Sequence, residues 1–502
     1  MLLTLDKQGP LYLQIYRALR KVILHGELSA GSRLPASRAI ATELGVSRNV
    51  VLLAYDQLRA EGYVSAHIGS GTFVAQQLPE LAPLPAATIA PERSIQHQVS
   101  AYAQRALQAR SPALSSAGPP PRYDFSFAEV AVDTHSLEIW KRLQNRHARS
   151  VLGGRSDAAG YGPLRDAIAD YVFRKRGIAC SAEQVLMVNG TQQALDLIAR
   201  VLLDPGASVV LEEPHYAGAR AVFLAAGANI IAAPVDHEGL NIASVGQRRA
   251  RLVYITPSHQ FPTGVVMPLA RRLALLEWAQ KRNAYVIEDD YDSEYRYEGR
   301  PLEAVQALDG AERTLYIGTF SKHLFPALRL GFLILPQPLV QAFLVTKQLA
   351  DRYSAMLNQV VLADFIAQGH FERHLRRMRT ANQARRKTLL EQLEQHLGGQ
   401  IEITGTNAGV HLAIWLPGVK PAQVDSIIQQ ARAAEVGVYS INPLFYKTPH
   451  RAGLLLGYET LSEAEISIGI QRLAQVLRPY LERAPTTTAI ATTEDSITEP
   501  FT

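Results

Sequence analysis

Apolar and polar positions along the first 80 residues follow the periodicity of three helices and a hairpin. Apolar side chains recur at three- and four-residue intervals over residues 11–25, which predicts an amphipathic helix. A second, shorter helix is expected to end at Gly45, and Ser47 is a suitable N-cap for a third helix over residues 48–61. Residues 63–66 and 72–74 flank a glycine-rich tip and predict a short hairpin.

Two helices joined by a tight turn and followed by a hairpin are typical of a winged helix-turn-helix, whose second helix enters the DNA major groove. Residues 1–78 carry eight Lys or Arg and five Asp or Glu, a charge of the sign that DNA requires. The alternative is a small helical interaction module whose arginines are merely solvated. The candidate DNA-contacting residues are Arg33, Arg38, Ser47, Arg48, Asn49 and, at the hairpin tip, Gly69.

Beyond this unit the pattern changes twice. Residues 79–121 are rich in Pro, Ala and Ser, which indicates a linker, with one short helix expected within residues 95–109. From about residue 123, helices alternate with short apolar strands, which predicts an α/β domain with a mainly parallel sheet. The predicted strands are residues 184–188, 208–212, 251–256, 284–289, 314–318 and 331–335.

Polar side chains follow most of these strands, at the edge of the sheet where cofactors bind in such folds. Thr191 and Gln192 open a helix, whose free N–H groups attract anions. Tyr216 offers a ring for stacking. Asp289 offers a carboxylate that keeps a pyridine nitrogen protonated, and Tyr291 offers a phenol for the ring oxygen. Separately, each of these features also fits an ordinary turn or helix cap.

The stretch after the strand at residues 314–318 carries the most specific chemistry. Ser321 and Lys322 lie in a small-residue turn, and Arg329 follows seven residues after the lysine. A partly desolvated lysine has a lowered pKa and is available for a Schiff base. An arginine fork suits a cofactor phosphate. A Ser-Lys pair in a turn is by itself more often a solvated surface feature. Only together with the residues at the other strand ends does it predict a site for pyridoxal phosphate (PLP).

Composition changes this picture little. A chain of 502 residues with 47% hydrophobic and 19% charged residues is expected to form two or three globular domains. One cysteine excludes a disulfide framework and a multi-thiolate metal site, and no metal is predicted. The chain has no signal-peptide pattern and no membrane-spanning apolar run, so we expect a cytoplasmic protein. A net charge of +5 permits nucleic-acid binding.

The N-terminal stretch closely resembles the GntR class of winged-helix DNA-binding domains over residues 9–75. In that family, the residues matching Arg38, Arg48, Asn49 and Gly69 contact DNA. Residues 123–480 resemble the class I aminotransferases of PLP fold type I. This second resemblance implies that Lys322 forms the Schiff base, Asp289 pairs with the pyridine nitrogen and Tyr291 bonds the ring oxygen. It also implies that Tyr216 stacks on the ring, while the phosphate is held by Thr191, Gln192, Ser321 and Arg329.

The chain departs from the aminotransferase pattern at three positions. Phe261 replaces an Asn that bonds the ring oxygen. Arg155 replaces a tyrosine that reaches the phosphate from the neighbouring subunit, unless the nearby Tyr161 is the counterpart of that tyrosine. Leu455 replaces the arginine that grips the substrate's α-carboxylate. Losing that contact costs on the order of 2–4 kcal/mol, roughly 30- to 1,000-fold in binding. Arg451, His450 and Arg220 are the candidates for compensating.

The two halves in this order resemble the MocR subfamily of bacterial transcription regulators. The resemblance implies a head-to-tail homodimer that binds operator DNA, controlled by PLP itself or by its aldimine with an amine or amino-acid effector. The alternative is an active PLP-dependent aminotransferase with an accessory helix-turn-helix module. The predicted domains are residues 1–78 (winged helix), 79–121 (linker), 122–483 (aminotransferase-like domain) and 484–502 (disordered tail).

Overall fold

The computed structural model describes residues 3–67, 70–78, 99–109, 119–127, 129–151, 157–299 and 302–482. Its helices are α1 (Leu11–Leu24), α2 (Ser37–Leu44), α3 (Arg48–Ala60), α4 (Ala101–Gln108), α5 (Thr134–Val151), α6 (Gly162–Arg176), α7 (Thr191–Leu202), α8 (Ala217–Ala225), α9 (Leu269–Arg282), α10 (Val340–Asp351), α11 (Met356–Ala367), α12 (His370–Leu397), α13 (Val424–Ala433) and α14 (Glu463–Leu481). Its strands are β1 (Val64–His67), β2 (Gly71–Val74), β3 (Tyr123–Asp124), β4 (Val185–Val188), β5 (Ser208–Glu213), β6 (Asn229–Asp236), β7 (Gly239–Leu240), β8 (Leu252–Ile255), β9 (Tyr285–Asp290), β10 (Thr314–Thr319), β11 (Gly331–Ile334), β12 (Glu402–Thr404), β13 (His411–Trp415), β14 (Val436–Gly437), β15 (Tyr439–Ser440) and β16 (Gly453–Gly457).

The chain divides into two compact units, residues 1–98 and 99–502. In the first unit, α1, α2 and α3 pack around an apolar core to which the antiparallel pair β1–β2 adds Val64 and Val74. Ile15, Leu19, Val51 and Leu58, from α1 and α3, are fully buried. The predicted helices and hairpin are therefore present, with bounds that differ by at most one residue.

The second unit is built on an eight-stranded sheet in the order β4-β11-β10-β9-β8-β5-β6-β7. Strands β4, β10, β9, β8, β5 and β6 run in one direction, while β11 lies antiparallel between β4 and β10. Central strands such as β8 and β10 are buried along their whole length, as expected for strands covered by helices on both faces. The parallel direction brings the carboxyl ends of β4, β5, β8, β9 and β10 to one edge.

A smaller antiparallel sheet, in the order β12-β13-β16-β15, completes the second unit. It packs with α12, α13 and α14 around a second apolar core that contains Leu412, Leu454 and Leu456. Helix α14 begins with a capping box in which Ser462 and Glu465 satisfy each other's backbone N–H groups. Its buried residues recur at helical spacing, whereas no local pattern determines the order of the strands beside it.

Helix α4 lies within the stretch predicted as a linker. It packs against α8, and Arg105 Nε donates a hydrogen bond to the Ala225 carbonyl at 2.9 Å. This helix therefore belongs to the second compact unit. The domain boundaries themselves stay a prediction, because the residues on both sides of α4 lie outside the described part of the chain, as does the predicted tail from residue 484. None of the helices in the described residues combines the length and the apolar character that crossing a membrane requires.

Candidate functional site

The candidate DNA-contacting residues that the structure describes lie on the surface of the first unit. Gly45 ends α2 with a φ of +65°, a left-handed conformation that glycine adopts without strain and that turns the chain into α3. Five of the six predicted residues are exposed: Arg33, Arg38, Ser47, Arg48 and Asn49. The sixth, Gly69, lies outside the described residues.

The structure corrects one detail of this surface. Ser47 occupies the N-cap position of α3, but its side chain makes no capping hydrogen bond. Arg48 Nε instead reaches back to Ser37 Oγ at 3.2 Å. The Ser47 hydroxyl is therefore not engaged in capping the helix, and the first turn of α3 presents Ser47, Arg48 and Asn49 together to solvent.

In the second unit, one cavity of about 310 Å³ lies at the carboxyl edge of the large sheet. All eight predicted cofactor residues line it, although they come from segments up to 138 positions apart. These residues are Thr191, Gln192, Tyr216, Asp289, Tyr291, Ser321, Lys322 and Arg329. Their roles stay predictions, but the fold does bring them to a single site.

Lys322 follows β10 after a short turn in which Ser321 N–H donates to Thr319 Oγ1 at 3.1 Å. Its ammonium donates a hydrogen bond to the Phe127 carbonyl at 2.6 Å. Removal from bulk water lowers the pKa of Lys322, although the negative charges of Glu459 and Asp292 oppose this shift. A lowered pKa increases the fraction of neutral amine, which is the nucleophilic form.

Asp289 is buried near the end of β9, and its environment is set by a residue that the sequence pattern does not single out. The Tyr254 hydroxyl, on the neighbouring strand β8, donates to Asp289 Oδ2 at 2.7 Å. Burial raises the pKa of Asp289 to about 7; the Tyr254 hydrogen bond opposes this shift, and the nearby charges of Asp290 and Asp292 add to it. The carboxylate is therefore costly to ionise unless a cation lies beside it.

The start of α7 and the segment after β10 approach each other at the other polar part of the cavity. Arg329 Nη2 donates to the Asn189 carbonyl at 2.9 Å. Gly190 has a φ of +86°, and a Cβ atom there would lie 3.0 Å from Arg329 Nη2, so a glycine is needed for this approach. Thr191 then begins α7, whose first N–H groups have no side-chain cap. An arginine fork beside free helix N–H groups is suited to a phosphate.

Aromatic side chains form the remaining wall. Tyr216 and Tyr291 each meet Phe261 edge-on, with ring centroids 6.1 Å apart in both pairs. The Tyr291 hydroxyl donates to the His259 carbonyl at 2.9 Å. His259 Nδ1 in turn lies 2.8 Å from Asp292 Oδ2, and the His411 ring stacks parallel to Tyr291. Phe127 and His411, which also line the cavity, carry no sequence signal of their own because they read as core residues.

Glu212 is a second buried carboxylate that sequence reasoning passed over. It lies near the end of β5 and accepts hydrogen bonds from the Thr256 hydroxyl at 2.7 Å and from Gln260 Nε2 at 3.1 Å. Burial raises its pKa to about 7. These bonds fix the segment after β8 that carries Phe261 into the cavity. A charged residue at the end of an apolar strand was the available signal, and it was the same signal that identified Asp289.

The residues present fit PLP. Asp289 Oδ1 is buried and has no hydrogen-bond partner among the described residues, so it is available to a protonated ring nitrogen. Ser321 Oγ is likewise buried and unpartnered among the described residues. Asp289 would hold the ring, Lys322 the aldehyde carbon, and Thr191, Gln192, Ser321 and Arg329 the phosphate.

None of the three residues considered as replacements for the missing arginine lines this cavity. Arg451 pairs with Glu402 and lies over the Trp415 ring, 4.6 Å from its centroid. Arg220 donates to the carbonyls of Phe445 and Pro443 at 2.8 and 3.0 Å, and the His450 ring packs edge-on against Phe445. Arg155 lies outside the described residues.

Comparison with protein families identifies both units. The family described as "Bacterial regulatory proteins, gntR family" matches residues 11–74, and the family described as "Aminotransferase class I and II" matches residues 125–450. Among solved structures, LysN, an α-aminoadipate aminotransferase from Thermus thermophilus complexed with N-(5'-phosphopyridoxyl)-L-leucine, is 28% identical with a TM-score of 0.65. The match covers 77% of this chain and 96% of that one. PLP is therefore the cofactor of the second unit.

Relatives that match over nearly the whole chain are transcription regulators. A protein of Rhizobium meliloti named "Probable rhizopine catabolism regulatory protein MocR" is 36% identical over 487 residues, covering 94% of this chain and 95% of its own length. The pyridoxine biosynthesis transcriptional regulator PdxR of Corynebacterium glutamicum is 30% identical, covering 90% and 92%. The chain therefore belongs to the MocR-type transcription regulators of the gntR family, in which a DNA-binding winged helix is joined to an aminotransferase-like domain that binds PLP.

Proposed function

We propose that PLP bound at Lys322, and its reaction with an amine or amino-acid effector, controls the binding of operator DNA by the winged-helix unit. The observation that carries this proposal is the single cavity lined by Lys322, Asp289 and Arg329 in a chain that also carries a DNA-binding unit. When bound, the cofactor supplies an electrophilic carbon that bonds primary amines reversibly and a phosphate that anchors it. The effector is thus an amine. In the simplest form of the proposal, PLP alone controls DNA binding.

Each residue has a defined part in this proposal. Lys322, with its lowered pKa, supplies the neutral amine that holds the cofactor and accepts it back when the effector leaves. Asp289 keeps the ring nitrogen protonated, and the Tyr254 hydroxyl holds that carboxylate in place. Arg329 and the start of α7 bind the phosphate.

The proposed binding of operator DNA depends on exposed side chains at the start of α3. Arg48 and Asn49 would reach base edges, while Arg33 and Arg38 would hold phosphates.

The family resemblance adds a head-to-tail homodimer in the cytoplasm, which would present two winged helices to repeated operator half-sites. Analytical ultracentrifugation of the PLP-loaded protein tests this assembly, because it predicts a mass of two chains. If effector and DNA favour the same conformation, each raises the affinity for the other by the same factor.

The test is a gel-shift titration with DNA from upstream of the gene and its divergent neighbour. It compares cofactor-free protein, PLP-loaded protein and Lys322→Ala at one salt concentration, since phosphate contacts make affinity salt-dependent. We expect a specific shift whose affinity changes with PLP, and no such change in Lys322→Ala. Lys387→Ala, which removes an exposed lysine of α12, is the matched control and should behave as wild type.

The same samples test the competing function. If no fragment binds better than competitor DNA while amino donors turn over at Lys322, the chain works as an aminotransferase and the proposed switch is wrong. If PLP leaves the DNA affinity of the wild type unchanged, the winged helix acts independently of the cavity and the control by PLP is wrong.

A further inference from the structure

Strand β16 divides its leucines between two environments. Side chains alternate across a strand, so Leu454 and Leu456 face one way and Leu455 faces the other. Leu454 and Leu456 lie in the core between the smaller sheet and its helices. Leu455 is fully buried in a different apolar cluster, with Phe261, Ala413, Trp415, Leu444 and Phe445.

This second cluster forms the backing of the cavity wall. Phe261 belongs to the cluster and also lines the cavity. Phe127, Tyr216 and Tyr291 pack against the cluster and line the cavity as well. Leu455 does not itself line the cavity, but the corner in front of its cluster is therefore aromatic and apolar.

The positive charges of the cavity lie elsewhere. Among the described residues that line it, the lysine and arginine side chains are Lys322 and Arg329. Lys322 is expected to hold the cofactor's carbon, and Arg329 lies beside the start of α7, where the phosphate is expected. Arg451 is paired with Glu402, and Arg220 is bonded to backbone carbonyls. A carboxylate placed beside Leu455 would lose its water without gaining a cation from any of the described residues, which is strongly unfavourable.

We infer that the effector is a primary amine without an α-carboxylate, whose carbon chain packs on the aromatic wall formed by Phe127 and Phe261. This inference rests on the proposed function, because it concerns the amine that reacts at the Lys322 site. The exchange is balanced without an oxidant. The effector nitrogen bonds to the carbon that Lys322 Nζ releases, and two protons pass from the effector nitrogen to Nζ.

The experiment compares amines with the amino acids that differ from them only by the carboxylate. Phenethylamine is matched with phenylalanine, and isoamylamine with leucine. Each is titrated into full-length, PLP-loaded protein, and both the cofactor's absorption spectrum and the affinity for operator DNA are recorded. We expect each amine to bind at least about 30-fold more tightly than its amino acid, because the carboxylate of the amino acid loses its water without gaining a partner.

Leu455→Arg reverses this preference if the corner is the cause, because it supplies the missing cation. Leu455→Gln, of similar size and without charge, is the matched control and should leave the amino acids weak. Thermal melting of both variants shows whether they remain folded. The wild-type comparison does not depend on either variant.

Equal affinity for an amine and its amino acid in the wild type would overturn the inference. So would a spectrum that responds to neither compound. In both cases the DNA readout separates the two levels: if PLP still alters operator affinity, the proposed switch stands and only the effector class is wrong. If PLP does not alter it, the switch itself is wrong.

Discussion

The two units of this chain use charge in opposite ways. In the winged-helix unit, Arg38, Arg48 and Asn49 are exposed and present their side chains to solvent. In the cavity, Asp289 is buried, bonded to the Tyr254 hydroxyl and raised in pKa to about 7. Exposed side chains bind a long polyanion through its phosphates and base edges. Buried ones are held in place before the ligand arrives, and the ligand's own charge completes the site.

This difference predicts how each unit responds to mutation and pH. A change at the predicted DNA-contacting surface would remove a contact but leave the fold intact, because little packs on an exposed side chain. A change in the cavity alters the cost of a buried charge, so its effect depends on pH and on whether the cofactor is bound.

The largest expected effect is that of Asp289→Asn. An amide of the same shape cannot neutralise a protonated ring nitrogen, so PLP affinity should fall about 100-fold. The pH dependence follows from the raised pKa. Asp289 ionises as the pH rises through about 7, and this ionisation destabilises the cofactor-free folded state. The protonated ring nitrogen of PLP would neutralise the Asp289 charge. The stabilisation that PLP gives the wild type should therefore increase from about pH 6 to about pH 8.

Thermal melting with and without PLP at several pH values measures this effect. Asp289→Asn should flatten the pH dependence of the PLP-induced stabilisation. Asp204→Asn, which changes an exposed carboxylate outside the cavity, is the control and should keep it. A wild-type protein in which PLP stabilises equally at all these pH values would contradict the assignment of Asp289.

The second effect in size belongs to the exposed surface. Arg48→Ala should weaken specific operator binding by roughly 1–3 kcal/mol, about 5- to 150-fold, while PLP affinity stays unchanged. Leu53→Ala, on the same helix but fully outside the predicted contact set, is the matched control. Fluorescence anisotropy with labelled operator measures the first quantity, and cofactor absorption the second. A loss of PLP affinity in Arg48→Ala would contradict the separation of the two roles.

The sequence predicts the elements of both units well because local patterns determine them. Helices α1, α2 and α3 have apolar faces of helical period, and β9 is an apolar run that ends in carboxylates. The site residues at strand ends are predictable for the same reason, because a polar residue directly after a buried strand is costly to bury without a binding partner. Only the shared direction of the strands was then needed to bring them together.

The rest of the site depends on distant pairing that no local pattern contains. Tyr254 lies inside the buried strand β8 and reads as a core aromatic. It meets Asp289 because β8 and β9 pair in parallel with Tyr254 opposite Ile287. The contact between Lys322 and the Phe127 carbonyl joins residues 195 positions apart. Ser47 shows the reverse: a good N-cap by sequence makes no capping bond, because cap preference is an average over many helices.

The smallest effect, and the sharpest test of how the cavity is tuned, is that of Tyr254→Phe. The change keeps the ring in the core but removes the hydroxyl that donates to Asp289 Oδ2. That hydrogen bond lowers the pKa of the carboxyl, so its loss raises the pKa above its already elevated value. The pH midpoint for PLP binding should move upward, and affinity at neutral pH should fall about 5-fold, which corresponds to the roughly 1 kcal/mol that a typical hydrogen bond contributes. Tyr353→Phe, at a half-exposed ring, is the control. A uniform loss of affinity at every pH, with the midpoint unmoved, would mean that Tyr254 supports packing alone, and the tuning of Asp289 would then have to come from burial and its acidic neighbours.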